Sequence, residues 1–239
     1  MYTYKKYFKM KIAIIGTGTV GRVLAAKLVE LGHDVTMGTR NVSEKLSSTE
    51  KDSYGNPSFS EWHKENSKVK VETFVNAASS GEIVINATHG SNSIDALKLA
   101  GAKNLAGKVL IDIANPLDFS KGMPPSLLPE LSNTNSLGEE IQKTFPLAMV
   151  VKTLNTMWCG LMVNPAMIGG GDHINYMAGN DAAAKRKVKL LLNQFGWKDV
   201  NVMDLGDISG ARASESVLLI WLRVMGVSQS GAFNFRIIK

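Results

Sequence analysis

Cysteine is almost missing from this chain of 239 residues: there is one, Cys159. A lone thiol closes no internal disulfide, so the sequence reads as that of a protein from a reducing compartment, the cytoplasm. The same count leaves no Cys/His spacing of a zinc site, and no metal is expected. Long apolar runs are missing too. No stretch reaches the ~18 uncharged apolar residues that a membrane-spanning helix needs, so no membrane partner is expected. The opening MYTYKKYFKM has lysines but lacks the apolar segment of a signal peptide, and reads as a leader before the first strand. Basic blocks are short. The net charge is +6, yet no run goes beyond Lys5-Lys6 and Lys185-Arg186-Lys187, and no aromatic residues interleave them. No nucleic-acid partner is expected from so dispersed a charge, and an anionic small molecule explains the mild positive excess equally well.

What the chain does have is alternation. Ile12 to Ile15 is a short apolar run closed by Gly16, the mark of a strand buried on both faces. Val20, Val23, Leu24, Leu28 and Leu31 then recur at helical spacing, Gly32 ends the helix, and Val35 to Met37 is a second strand. Strands follow at Val69–Val71, Glu82–Thr88, Lys108–Asn115 and AMVVKTLN, with helices at Phe74–Ser79 and Ser93–Ala102 between them. That is the rhythm of a doubly wound α/β sheet, the Rossmann fold. Two stretches interrupt it. Ser43–Lys68 is polar and serine-rich, with a capping box from Ser58 to Glu61 predicting a short helix near Trp62, and it is expected to face solvent. Pro116 to Pro129 holds four prolines and predicts a long loop over a site. Residues 10–155 thus read as a dinucleotide-binding domain. Residues 156–239 read as a small C-terminal α+β or helical domain for substrate or dimerisation. Its helices are expected at Ala182–Gly196 and Ile208–Val227.

Gly16-x-Gly18-x-x-Gly21 sits between the first strand and the first helix, the context that gives this motif meaning. The first glycine permits the turn, the second admits a pyrophosphate, and the third lets helix and strand pack closely. The anion then meets the helix N-terminus, at Thr17, Thr19 and Val20. The end of the second strand selects the cofactor. An Asp or Glu there would hold the ribose hydroxyls of NAD. The chain has Thr39-Arg40-Asn41 instead. An arginine pairs with a 2′-phosphate that an acid would repel, so NADP is the expected cofactor. In an open α/β sheet the ligand lies outside the carboxyl ends of the strands. Thr88, His89, Asn115, Pro116 and Asn155 stand at those ends and complete the candidate cofactor site. His89 is the only catalytic candidate at these strand ends, and no carboxylate partner is evident for it. Lys152 and Asp112 lie within strand runs and read as structural. Met157, Met162 and Met167 are expected to pack the seam between the domains, and Cys159 to be a core residue. Trp221 and the leucines around it exceed what one small core needs and point to a homodimer through the last helix.

Three stretches, IGTGTVGRVLAAKLVELGHDVTMGTRN, VVKTLNTM with MAGND downstream, and DLGDISGARASESVLLIWLRVMG, resemble the NADPH-dependent deazaflavin (coenzyme F-420) reductase family, the F-420:NADP oxidoreductases. The resemblance runs from Lys11 through nearly the whole chain. It implies a Rossmann domain with a small C-terminal domain and hydride transfer between NADPH and a deazaflavin or flavin ring. It also implies that Thr17, Thr39 and Arg40 hold the NADP phosphates, with Thr88, His89, Asn115 and Pro116 near the nicotinamide half. The cytosolic domain of the membrane ferric reductases is similar in plan. The sequence departs from the archaeal members in a long Ser43–Lys68 insertion and an expanded proline loop, both of which bear on the acceptor. Two alternatives stand beside this reading: a small-substrate dehydrogenase working through Lys152 or His89, and an NADP-sensing protein without catalysis.

Overall fold

A computed structural model describes residues 9–51 and 55–238. The leader expected at the N-terminus falls on residues 1–8, outside this range. The main sheet has eight strands: β1 (Lys11–Ile15), β2 (Asp34–Thr39), β3 (Lys70–Thr73), β4 (Ile83–Asn86), β5 (Val109–Asp112), β8 (Met149–Thr153), β9 (Asn175–Ala178) and β10 (Val202–Asp204). Its order is β10-β9-β8-β5-β4-β1-β2-β3, every pair parallel except β8 with β9. The two strands β6 (Leu117–Asp118) and β7 (Ser126–Leu127) form a separate antiparallel pair within the proline-rich stretch. The order of the strands reverses at β1 and β4: the chain adds β2 and β3 on one side of β1 and then β4 on the other, the switch point at which α/β sheets open a crevice.

The helices are α1 (Thr19–Glu30), α2 (Val42–Ser47), α3 (Phe59–Glu65), α4 (Phe74–Ser80), α5 (Ser93–Ala100), α6 (Ala102–Leu105), α7 (Leu137–Thr144), α8 (Cys159–Val163), α9 (Ala182–Phe195) and α10 (Ala211–Ser228). They cover both faces of the sheet. Side chains alternate along β1, so Ile12 and Ile14 enter one core with Leu24, Leu28, Val188 and Leu192, while Ala13 and Ile15 enter the other with Ala77, Leu97 and Ile141. The sheet crosses the 155/156 boundary. Residues 156–238 supply β9 and β10, and β9 pairs with β8 through Lys152↔Ala178 and Thr153↔Met177.

Several local expectations meet a different environment. The described residues of Ser43–Lys68 mostly face solvent, as expected, but the stretch is also anchored to the core at one point. The capping box of Ser58 and Glu61 forms as read, and it delivers Phe59, fully buried, onto the first core. The helix starting at Ser93 stops at Ala100, because Gly101 takes φ +92° before α6. The last α-helix begins at Ala211, three residues later than its periodicity suggested, after a single 3-10 turn over Ile208–Gly210. Met157, Met162 and Cys159 are buried, whereas Met167 sits on the surface in a 3-10 turn behind Pro165. Trp221 is covered by its own chain: the C-terminal tail folds back and stacks Phe233 on it, with ring centroids 5.3 Å apart.

Candidate functional site

One row of residues ends the central strands. Register pairs Ile15 with Gly38 and with Asn86, Asn86 with Asp112, and Asp112 with Lys152. The candidate residues all lie just beyond this row. Gly16 to Gly21 follow β1; Thr39 closes β2 and Arg40 and Asn41 follow it; Thr88 and His89 follow β4; Asn115 and Pro116 follow β5; Asn155 follows β8. The structure brings them to one edge of the sheet.

The glycine motif behaves as its spacing demands. Gly16 has φ +118°, and a Cβ on it would meet the Ala87 carbonyl oxygen at 2.5 Å. A Cβ at Gly21 would meet the Gly16 carbonyl oxygen at 2.7 Å, so α1 packs directly on the turn. A Cβ at Gly18 would meet nothing within 4 Å. That open space lies at the N-cap of α1, beside the positive end of the helix dipole. Val20 turns into the core side of α1 and packs against it.

Arg22, directly after the third glycine, supports the candidate site in a way that the motif alone does not reveal. It is buried; its Nε donates to the Thr17 carbonyl oxygen at 3.1 Å and its Nη1 to that of Pro57 at 2.6 Å. It thus braces the glycine turn against the long β2–β3 connection. Its guanidinium lies 5.6 Å from the centre of the Phe59 ring, and the Lys45 ammonium lies 5.3 Å from the same centre. Burial, with Arg22 nearby, lowers the pKa of Lys45 below that of an ordinary lysine. Lys45 is therefore part of this aromatic clamp. The signal was a cation placed against a glycine turn in an otherwise apolar helix start.

At the end of β2, Thr39 is buried and Arg40 is exposed, without an ion-pair partner among the described residues. The side chain of Asn41 caps α2, accepting from the Glu44 amide at 3.2 Å. Only the arginine of this trio presents an uncommitted charged group.

At the other end of the crevice the loops after β4, β5 and β8 touch. Asn115 and Asn155 pair with each other: Asn115 Nδ2 donates to the Asn155 carbonyl oxygen at 2.8 Å, and Asn155 Nδ2 donates to Asn115 Oδ1 at 2.9 Å. The Pro116 carbonyl oxygen accepts from Leu128 at 2.8 Å, which fastens the proline loop to the crevice. His89 is exposed, with Nδ1 2.8 Å from Ser91 Oγ and its ring 5.7 Å from that of Phe119 in the same loop. Phe119 thereby joins the candidate site, and no pattern in the proline-rich sequence singled it out.

Beneath the strand ends lies a buried charged cluster. Lys152 Nζ stands 2.8 Å from Asp112 Oδ2 and 2.8 Å from Glu215 Oε1, and also donates to the Ala114 carbonyl oxygen. Glu215 reaches further: its carboxylate accepts from the Leu137 and Gly138 amides at 2.9 and 3.1 Å, capping α7 from α10. Burial works against the Lys152 ammonium, but the two facing carboxylates carry its pKa above that of an ordinary lysine. Burial, with the charge of Asp112 nearby, pushes the Glu215 carboxyl upward despite the opposing pull of Lys152. Glu215 was legible in principle. Ala211, Ser214, Glu215, Leu218 and Trp221 form the buried stripe of α10, with an acid in it.

The fold, with its row of parallel strand ends, is of the Rossmann type. The model of the family described as NADP oxidoreductase, coenzyme F420-dependent, matches residues 11–116. A candidate F420-dependent NADP reductase from Arthrobacter sp. FB24, whose crystal structure is solved, is 53% identical; the match covers 96% of this chain and all of that one, with a TM-score of 0.90. The chain belongs to this family and is an NADP-dependent oxidoreductase. The rat metalloreductase STEAP3 is 27% identical over 211 residues, 87% of this chain, and the chain spans about a third (36%) of that protein's length. An imine reductase from Myxococcus stipitatus in complex with NADP+ shares the fold at 16% identity, with a TM-score of 0.60. No helix among the described residues is long and apolar enough to cross a membrane.

Proposed function

We propose that this chain transfers a hydride between NADPH and a deazaflavin or flavin-type acceptor. A bound nicotinamide supplies the hydride chemistry; the protein supplies binding, orientation and a dry crevice. Arg40 would hold the 2′-phosphate, and the open space at Gly18 together with the start of α1 would hold the diphosphate. Thr88, His89, Asn115, Pro116 and Asn155 would wall the nicotinamide half. The exposed aromatic pair of His89 and Phe119 offers a flat surface to a planar acceptor.

The observation that carries this choice is the state of Lys152. A dehydrogenase of small hydroxy acids needs a side chain that trades a proton with the substrate. Lys152 has a side-chain exposure of 0% and is locked between two carboxylates, so it is out of reach of a substrate. His89 has a serine on Nδ1 and, among the described residues, no carboxylate partner. Hydride exchange between two rings that carry their own electronics has no need of either. The test is oxidation of NADPH with coenzyme F-420, FMN, FAD, ferric chelates and 2-hydroxy or 2-oxo acids, each in turn. Turnover is expected with the deazaflavin or a flavin and absent with the acids. Binding of NADPH without turnover on any acceptor would instead make the protein a sensor. Ferric chelates belong in the series because of the metalloreductase likeness.

A homodimer in the cytoplasm completes the reading. Ile220, Val224 and Val227 are exposed at helical spacing on α10, an apolar row suited to a second copy. Sedimentation is expected to give a dimer that Val224→Glu converts to a monomer; a monomeric wild-type protein at micromolar concentration would contradict it.

A further inference from the structure

Thr88 is half-buried in the crevice wall, two residues past β4, and its hydroxyl ends a chain of hydrogen bonds whose direction is fixed from below. The direction starts at the buried ion pair. Asp112, as the carboxylate partner of Lys152, can only accept, and its Oδ1 takes the Nδ2 of Asn86 at 2.8 Å. That contact pins the amide of Asn86, nitrogen toward Asp112 and oxygen toward the loop. The same nitrogen donates to Ser93 Oγ at 3.0 Å. Asn86 Oδ1 then accepts from the Thr88 amide at 3.3 Å and from the Thr88 hydroxyl at 2.7 Å. The single hydroxyl proton of Thr88 is thereby committed. Ser93 Oγ, 2.8 Å away, takes up at most one lone pair of Thr88 Oγ1 and leaves the other.

We infer that Thr88 offers the crevice a hydrogen-bond acceptor and never a donor, that Lys152, Asp112 and Asn86 are the positioning residues that set this polarity, and that the group selected is an O–H or N–H on the nicotinamide half of the dinucleotide. The inference rests on the dinucleotide reading above. Two groups on that half have the required chemistry, the ribose hydroxyls and the carboxamide. Glu215 serves the chain at its far end, as the second carboxylate on Lys152. The buried charge is thus a means of orienting an uncharged hydroxyl. A ligand that brought an acceptor to Thr88 would face two lone pairs with no proton between them.

The test titrates NADPH into the wild-type protein and the variants Thr88→Val, Thr88→Ser and Asp112→Asn, with thermal melts to confirm folding. Thr88→Val is isosteric and is expected to bind NADPH about threefold to tenfold more weakly, the loss of one neutral hydrogen bond. Thr88→Ser keeps the oxygen and is expected to return to within about twofold of wild type. Asp112→Asn frees the Asn86 amide to turn and is expected to weaken binding as much as Thr88→Val, while the double variant is no weaker than either. A repeat with the 3-acetylpyridine analogue, in which a methyl replaces the carboxamide nitrogen, separates the two donors. Equal binding of the analogue by wild type and Thr88→Val identifies the carboxamide; a persisting difference identifies a ribose hydroxyl. Wild-type affinity in Thr88→Val overturns the inference. So does a folded Asp112→Asn that binds as wild type or adds its loss to that of Thr88→Val. If Asp112→Asn does not fold, the Thr88 pair alone decides. Failure of the wild-type protein itself to bind NADPH strikes the dinucleotide reading instead.

Discussion

Lys152→Met is expected to cost about 3–5 kcal/mol of folding stability, the usual consequence of removing one partner from a buried ion pair. In melting temperature this is on the order of 10 °C for a chain of this size. The methionine fills the volume, so the loss is electrostatic. Asp112 and Glu215 are left facing a space where the ammonium stood, both out of water. The loss therefore has a pH signature. Burial already raises the Glu215 pKa in the native protein, and removing Lys152 raises it further. A carboxyl whose folded pKa exceeds its unfolded value of about 4.3 supports the fold below that value and costs stability as pH rises through the folded pKa. The deficit relative to wild type is expected to be smaller near pH 5 than near pH 8, measured as denaturant midpoints at the two values. An equal deficit at both would mean that packing, not charge, is what the lysine contributes.

Arg40→Ala is expected to weaken NADPH binding about tenfold to a hundredfold while leaving NADH nearly untouched. The reasoning is local. Arg40 is exposed at the end of β2 and is paired with no carboxylate among the described residues, so its guanidinium is available to a phosphate. A phosphate meeting a planar fork of donors gains paired, charge-assisted hydrogen bonds, and NADH lacks that phosphate. Lys45, in the helix that follows Arg40, could be asked to take over, but it is half-buried over the Phe59 ring, and a move toward the phosphate would break that contact. The measurement is a pair of fluorescence titrations on each protein. An equal loss for both dinucleotides would mean that Arg40 contacts the shared diphosphate or supports the loop instead.

The parts of this protein that follow short-range rules were legible in its sequence. The β1–α1–β2 unit needs only an apolar run, three glycines at fixed spacing and a helical stripe, and each of these is local. The capping box at Ser58 was readable for the same reason. Its consequence was not, because nothing local says that Phe59 will enter the core between Arg22 and Lys45. The buried cluster shows the same limit at longer range. Asp112, Lys152 and Glu215 are brought together by strand register and by the return of α10 over α7. A polar residue in an apolar run announces burial but not its partner. The side chain of Asn41 went to a helix cap because a free Asn before a helix start finds the local amides first. Trp221 pointed to a partner surface, and the partner was the chain's own tail, residues that carried no regular pattern.

The central claim is that the chain chooses its dinucleotide at the end of β2, through a cation where an acid would select NAD. The ratio of NADH to NADPH dissociation constants, measured on the wild-type protein and on Arg40→Ala in the same buffer, tests it most directly. A ratio of about ten or more in the wild type that falls to near one in the variant is the predicted result. A wild-type protein that binds NADH as tightly as NADPH, or a ratio that survives the loss of Arg40, would contradict it.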